Sequence, residues 1–266
     1  MLGFFAVYGN PIAHSKSPLL HNYAFAKCDI NAYYGRILLE NGEELYKSFE
    51  SHHLNGANIT IPFKEYAFSL CDEVRGVAKD IGACNTWVHD NGAIIGYNTD
   101  AQGFYECIKD YKIKNALIIG AGGSAKAVAM ILKAYQIPTT IINRSDSKLT
   151  FFADKGFECS VSSAFKPNNT YDLIINTTSA GLNDTHLPCA KSQLEALFTH
   201  ASYAFDLIYG KQTPFLHLAS EFKLICSDGR AMLIHQAALA FELFSASMGV
   251  ECESNAIATL MGEALP

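Results

Sequence analysis

Residues 115–143 constrain this chain more than any other stretch. Asn115 to Ile119 is an apolar run that reads as a buried strand. Gly120-Ala121-Gly122-Gly123 follows as a turn, a helix runs on to about Tyr135, and 139–143 (TTIIN) read as a second strand. The hexapeptide 120–125, G-A-G-G-S-A, fits G-x-G-x-x-A. In such a turn the first glycine allows the tight bend and the second lets backbone approach a pyrophosphate. The small Ala125 lets helix and strand pack closely. The helix N-terminus that follows then offers N–H groups that helix geometry leaves unpaired. A strand before, a helix after and a second strand 23 residues downstream of Gly120 make dinucleotide binding the expectation.

The second strand ends in Asn143-Arg144-Ser145. A site for NAD usually carries Asp or Glu here, to bind the ribose 2′-hydroxyl. Arg144 instead presents a planar donor fork suited to a 2′-phosphate, with Lys148 four residues on as a second positive charge. This selects NADP over NAD. Asp146 is a counter-signal, since a carboxylate aimed at the ribose would favour NAD.

The same alternation extends outward. Apolar runs at 171–176, 203–208 and 223–226 continue a βαβ rhythm, which implies a doubly wound, mostly parallel sheet. Upstream, Phe4–Gly9, 32–39 and 56–61 read as strands. Two apolar runs around Asp90-Asn91-Gly92, within 86–98, read as a hairpin. Ser17-Pro18 reads as a helix N-cap followed by proline at the first helical position. A helix is expected over 102–111, with Asp100 as a candidate N-cap. Residues 231–247 form one long, almost uncharged helical stretch, which must be buried on most sides and is expected to pack back on the first domain. The expected organisation is therefore two α/β domains. Residues 1–100 with 231–266 form a substrate-binding domain, and 101–230 form a Rossmann-type domain for NADP.

Composition narrows the partners. Twenty basic against 26 acidic residues give a net charge of −6, which argues against nucleic acid. No apolar run approaches a membrane span, and the amino-terminal stretch reads as a first strand, not a signal peptide. The closest two of the eight cysteines, Cys71 and Cys84, are 13 positions apart, so no metal knuckle or C-x-x-C pair is present. His14, His21 and His235 lack metal-site spacing. The expectation is a cytoplasmic, metal-free enzyme or small-molecule binder with reduced thiols.

Four polar elements sit near predicted strand ends: His14-Ser15-Lys16-Ser17-Pro18, Asn58-Ile59-Thr60-Ile61-Pro62-Phe63-Lys64, Cys84-Asn85-Thr86 and Tyr97-Asn98-Thr99-Asp100. With Tyr8-Gly9-Asn10-Pro11 and the Met232-Leu233-Ile234-His235-Gln236 stretch, they resemble the shikimate dehydrogenase family over nearly the whole length. Members of that family reduce 3-dehydroshikimate with NADPH on the route to chorismate and the aromatic amino acids. The resemblance implies Lys64 and Asp100 as the catalytic pair. It implies Ser15 and Ser17 as the hydroxyls that hold the substrate carboxylate, and Thr60, Asn85, Tyr209 and Gln236 as further substrate contacts. It assigns Gly120, Ala121, Gly122, Gly123, Ser124, Asn143, Arg144, Ser145 and Lys148 to the NADP site, and Leu207 and Gly229 to positions near the nicotinamide. Read by themselves, the serines also suit turn and cap chemistry, and Gln236 also suits a satisfied core amide. The chain departs from the family pattern at Ala101-Gln102, at Ala231 and in a shortened 209–213 segment. A monomer or homodimer acting on a small molecule is implied.

Overall fold

Alternate residues of the first strand face opposite ways, and both faces of this strand are covered. Phe5 and Val7 enter one apolar cluster while Ala6 and Tyr8 enter another. A sheet that buries both faces needs a layer of helices on each, and the rest of this unit supplies them. The computed structural model describes residues 2–167 and 170–265. It divides into two compact units, one comprising residues up to Glu106 together with those from Leu233, the other Cys107–Met232.

The first unit runs β1 (Gly3–Gly9), α1 (Ser17–Lys27), β2 (Ala32–Leu38), α2 (Leu45–Ser51), β3 (Gly56–Ile59), α3 (Lys64–Leu70), β4 (Glu73–Val74), α4 (Ala78–Ile81), β5 (Thr86–Asp90), β6 (Ala93–Tyr97) and α5 (Thr99–Ile108). Its sheet has the order β2-β1-β3-β5-β6-β4. The first three strands are parallel, while β5 is antiparallel to both neighbours. The reversal is local chemistry, since Asn91 and Gly92 both adopt positive φ, 49° and 85°, as a tight hairpin requires.

The second unit runs β7 (Ala116–Ile119), α6 (Gly123–Ala134), β8 (Thr139–Asn143), α7 (Thr150–Asp154), β9 (Glu158–Val161), β10 (Leu173–Asn176), α8 (Lys191–Phe198), β11 (Tyr203–Asp206), α9 (Pro214–Glu221) and β12 (Ile225–Ser227). Its six strands are all parallel, in the order β12-β11-β10-β7-β8-β9. Strands β7 and β10 are buried at every position. The strand order reverses between these two, which places a topological switch point beyond their carboxyl ends.

Two further helices, α10 (Arg230–Ser247) and α11 (Ser254–Ala264), complete the chain. From Leu233 onward α10 belongs to the first unit, where Ala237, Ala240, Phe241 and Phe244 join Phe5, Leu20 and Phe25 in one core. Phe244 is fully buried, and truncating it to alanine costs about 3–5 kcal/mol by lost transfer energy and residual cavity. Among the described residues no helix is long and apolar enough to cross a membrane.

Two local readings need correction. Ser17 is the first residue of α1, not its cap; Lys16 occupies the cap position and gives no side-chain capping bond. Helix α5 begins at Thr99, three residues earlier than the apolar pattern suggests, because Asn98 caps it by accepting the Ala101 N–H at 3.3 Å. Asp100 therefore lies inside the first turn. Strand β9, Glu-Cys-Ser-Val, carries too little apolar signal to be read from sequence, since it lies at the edge of its sheet.

His21 is wholly buried on α1, stacked on Tyr34 at 4.3 Å between ring centroids. Neither ring nitrogen has a hydrogen-bond partner. Burial holds its pKa down to about 3; the Asn58 side chain opposes this only weakly. Between that value and the ordinary 6.5 the unfolded chain binds the proton and the native state does not. The contribution is therefore intact above about pH 6.5 and is lost as pH falls, by about 1.4 kcal/mol per unit at full linkage. His21→Leu should flatten this acid limb. Urea midpoints at pH 7 and pH 5 should differ less in the variant than in the parent, by roughly 2 kcal/mol in unfolding free energy.

Candidate active site

Strand β3 is buried at all its positions and ends at Ile59; after a short turn, Lys64 begins α3. The Lys64 Nζ donates to Asp100 Oδ2 at 2.6 Å, with the two side chains 21% and 15% exposed. Asp100 is held there by buried amides. Asn85 Oδ1 accepts the Thr99 N–H at 2.8 Å, and its Nδ2 donates to Thr99 Oγ1 at 3.0 Å. Asn98 caps the same helix and donates its Nδ2 to the Ala83 carbonyl at 3.0 Å. On the other side, the Cys84 N–H donates to the Lys64 carbonyl at 3.0 Å. A lysine ammonium has three donors. Asp100 takes one and thereby aims the remaining two, an arrangement suited to delivering a proton to an oxygen.

The two serines lie together, with Ser15 Oγ donating to Ser17 Oγ at 3.2 Å. Arg36 fixes their loop by donating to the Ser15 carbonyl through Nε and Nη2. Behind Ser17, the Tyr34 hydroxyl donates to Asn58 Oδ1 at 2.6 Å, and Asn58 Nδ2 donates to Thr86 Oγ1 at 3.0 Å. Thr60 is tied to β1 through its own N–H, which donates to the Tyr8 carbonyl at 2.8 Å. Gln236 is half-buried on α10 and donates Nε2 to the Leu233 carbonyl at 2.9 Å. Its backbone lies against α5 one turn beyond Asp100, where a Cβ on Gly103 would come within 2.7 Å of the Gln236 backbone nitrogen. The bare glycine is what lets the two helices approach.

In the second unit the turn after β7 opens a cavity of about 600 Å³. Gly120, Ala121 and Gly122 line one wall, Asn143, Arg144 and Lys148 another, and Thr177, Thr178 and Ser179 a third. Gly120 adopts φ +114°, and a Cβ there would lie 2.4 Å from Thr177 Oγ1, so only glycine fits. At Gly122 and Gly123 a Cβ would meet no atom within 4 Å, and no side chain caps α6. That face is open to a group approaching the backbone. Gly123 and Ser124 begin α6 and Ser145 accepts from Asn143 Nδ2 through its carbonyl at 2.8 Å; none of the three lines the cavity, and neither does Asp146. Asp184 is the carboxylate on the wall, and its Oδ1 is already taken by the Gly181 and His186 N–H groups. Uncapped N–H groups, a vacant glycine face and two exposed cations fit a dinucleotide bearing an extra phosphate.

Leu207, Tyr209 and Gly229 lie apart from that cavity but close to one another. The Gly229 N–H donates to the Ile208 carbonyl at 3.2 Å, and a Cβ on Gly229 would collide with the Leu207 carbonyl at 2.1 Å. Tyr209 is exposed on the loop after β11.

A model of the shikimate dehydrogenase substrate-binding domain matches residues 7–87. Shikimate dehydrogenase (NADP(+)) of Helicobacter hepaticus is 70% identical over 245 residues, covering 92% of this chain and 91% of that protein. The chain belongs to the shikimate dehydrogenase family. A relative of the same name from Helicobacter pylori strain P12 is 47% identical, over 91% of this chain and 92% of its own length. Among solved structures, shikimate 5-dehydrogenase of Thermus thermophilus in complex with NADP(H) and shikimate aligns over 100% of both chains, with TM-score 0.84 and 31% identity. The Aquifex aeolicus shikimate dehydrogenase aligns over 99% of this chain and 97% of its own, with TM-score 0.85 and 29% identity.

The sequence reading of this family member passed over Asp206. Buried at the end of β11, it accepts from Thr213 Oγ1 at 2.6 Å, Asn176 Nδ2 at 3.1 Å and the Ile208 N–H at 3.1 Å. It thereby fixes the loop that carries Leu207 and Tyr209. Burial raises its pKa, against the pull of those donors. Thr177, Thr178 and Ser179 were also passed over, although a polar run directly after an apolar strand was a usable signal. Asp206→Ala leaves three donors facing no acceptor and should cost about 2–4 kcal/mol of stability, measured by urea denaturation, with Asp206→Asn recovering part of the loss.

Proposed function

We propose that this chain is an NADP-dependent shikimate dehydrogenase, an oxidoreductase that reversibly reduces 3-dehydroshikimate to shikimate. The observation that carries the reading is the Lys64–Asp100 ion pair at 2.6 Å, in a chain 70% identical to a protein of that name. The first unit takes the substrate and the second takes the dinucleotide. Ser15 and Ser17 present neutral hydroxyl donors for the ring carboxylate. Lys64 delivers a proton to the carbonyl oxygen during reduction, and its amine takes the hydroxyl proton during oxidation. Asp100 keeps Lys64 aimed and accepts a bond from a ring hydroxyl. Thr60, Asn85, Tyr209 and Gln236 supply further substrate contacts, although Asn85 already directs its amide to Thr99 and so also acts by placing Asp100. Gly120, Ala121, Gly122, Gly123 and Ser124 hold the pyrophosphate, Asn143, Arg144, Ser145 and Lys148 the ribose phosphate, and Leu207 and Gly229 the nicotinamide end. The chemistry NADPH supplies when bound is hydride donation to the carbonyl carbon. Eight free cysteines support a cytoplasmic setting, and the chain acts as a monomer or homodimer.

Shikimate oxidation followed at 340 nm tests both halves. Lys64→Ala should lower kcat by about 10²–10⁴-fold with the shikimate KM changed only a few-fold, and near-normal turnover would refute the assigned role. Arg144→Ala should raise the KM for NADP by about 10–100-fold, the loss of a charged hydrogen bond, while leaving the KM for NAD nearly unchanged. Equal effects on the two dinucleotides would remove Arg144 from the phosphate site.

A further inference from the structure

Two thiols of the first unit meet on the two segments joined by the Lys64 carbonyl. Cys71 closes α3 and Cys84 precedes β5. Both sulfurs rest on the bare face of Gly96 in β6, each 2.7 Å from the point a Cβ would occupy there. They therefore face one another across a single missing side chain. Cys84 is fully buried, whereas Cys71 is half-buried.

We propose that Cys71 and Cys84 form a reversible thiol–disulfide modification site, oxidised by a peroxide, whose closure displaces Lys64. The connection to Lys64 is covalent and short. Cys71 directly follows the seven-residue helix that Lys64 begins, and the Cys84 N–H holds the Lys64 carbonyl at 3.0 Å while leading directly into Asn85. Closing the gap to the ~2.05 Å of a disulfide draws these two segments together.

The order of events follows from the two environments. The hydrogen bond from the Cys84 thiol holds the Cys71 thiol below its ordinary range, whereas that bond and burial push Cys84 up. Cys71, the more accessible sulfur, is thus the nucleophile and Cys84 the resolving thiol. The Cys71 thiolate attacks one peroxide oxygen, the O–O bond breaks, and the departing hydroxide takes a proton to leave as water. The resulting sulfenic acid is attacked by the Cys84 sulfur. An S–S bond forms, the S–O bond breaks, and the second water departs with the Cys84 proton. Two thiols lose two electrons in total, and the peroxide is reduced to two waters.

The full-length protein exposed to hydrogen peroxide, denatured, alkylated and digested without reductant should yield a peptide containing Cys71 joined to one containing Cys84, ~2 Da lighter than the pair of free thiols. Shikimate oxidation should fall by about tenfold or more in step with that product and return with dithiothreitol. Cys71→Ser should keep its basal turnover and resist the peroxide. Both cysteines alkylated after treatment, or Cys71 carried on to sulfinic acid beside an alkylated Cys84, would overturn the site. A cross-link formed with turnover unchanged, or Cys71→Ser inactivated at the parental rate, would overturn the effect on Lys64. The peptide measurement stands apart from the proposed reaction; only the turnover measurement rests on it.

Discussion

The pairing of Lys64 with Asp100 depends on where one helix begins. Helix α5 starts at Thr99 because Asn98 caps it and Asn85 binds both the N–H and the hydroxyl of Thr99. Were the helix to start two residues later, Asp100 would be its cap, with its carboxylate turned onto the backbone. The capping duty falls on an amide, and the charged group is left for the lysine. A charge-assisted bond of 2.6 Å between partly shielded groups is strong, but its direction is set by neutral neighbours that touch neither charge.

The same division of labour recurs at the Rossmann sheet. Asp206, Asn176 and Thr213 form a buried knot at the ends of β10 and β11. It shapes the loop carrying Leu207 and Tyr209 without lining the glycine-turn cavity. Such networks stabilise only when every member is satisfied, so they fix one loop conformation against its alternatives.

Much of this was legible in the sequence. Short apolar and β-branched runs identified β1, β3, β7, β8 and β10, and the Asn91-Gly92 pair identified the β5–β6 hairpin, because those signals are local. The glycine turn was legible for the same reason: strand, glycine-rich turn and helix follow one another directly along the chain. The cap of α5 was not, since Asn98, Thr99 and Asp100 can all cap and only long-range partners such as Asn85 and Ala83 decide among them. Ser17 was misplaced by one position because Pro18 suits either of the first two helical positions. The meeting of Cys71 and Cys84 is visible only once β4, β5 and β6 are paired, since nothing in their spacing predicts that both will lie over Gly96.

Trp87 is the chain's sole tryptophan, and it is fully buried in the first unit with its Nε1 donating to the Ala67 carbonyl of α3 at 2.9 Å. The intrinsic indole emission of this protein therefore comes from a single ring bonded to the helix that Lys64 begins. The second unit contributes no indole signal, so a fluorescence-detected melt follows one half of the molecule only. Setting that trace beside a calorimetric one would reveal whether the two halves melt as one cooperative block.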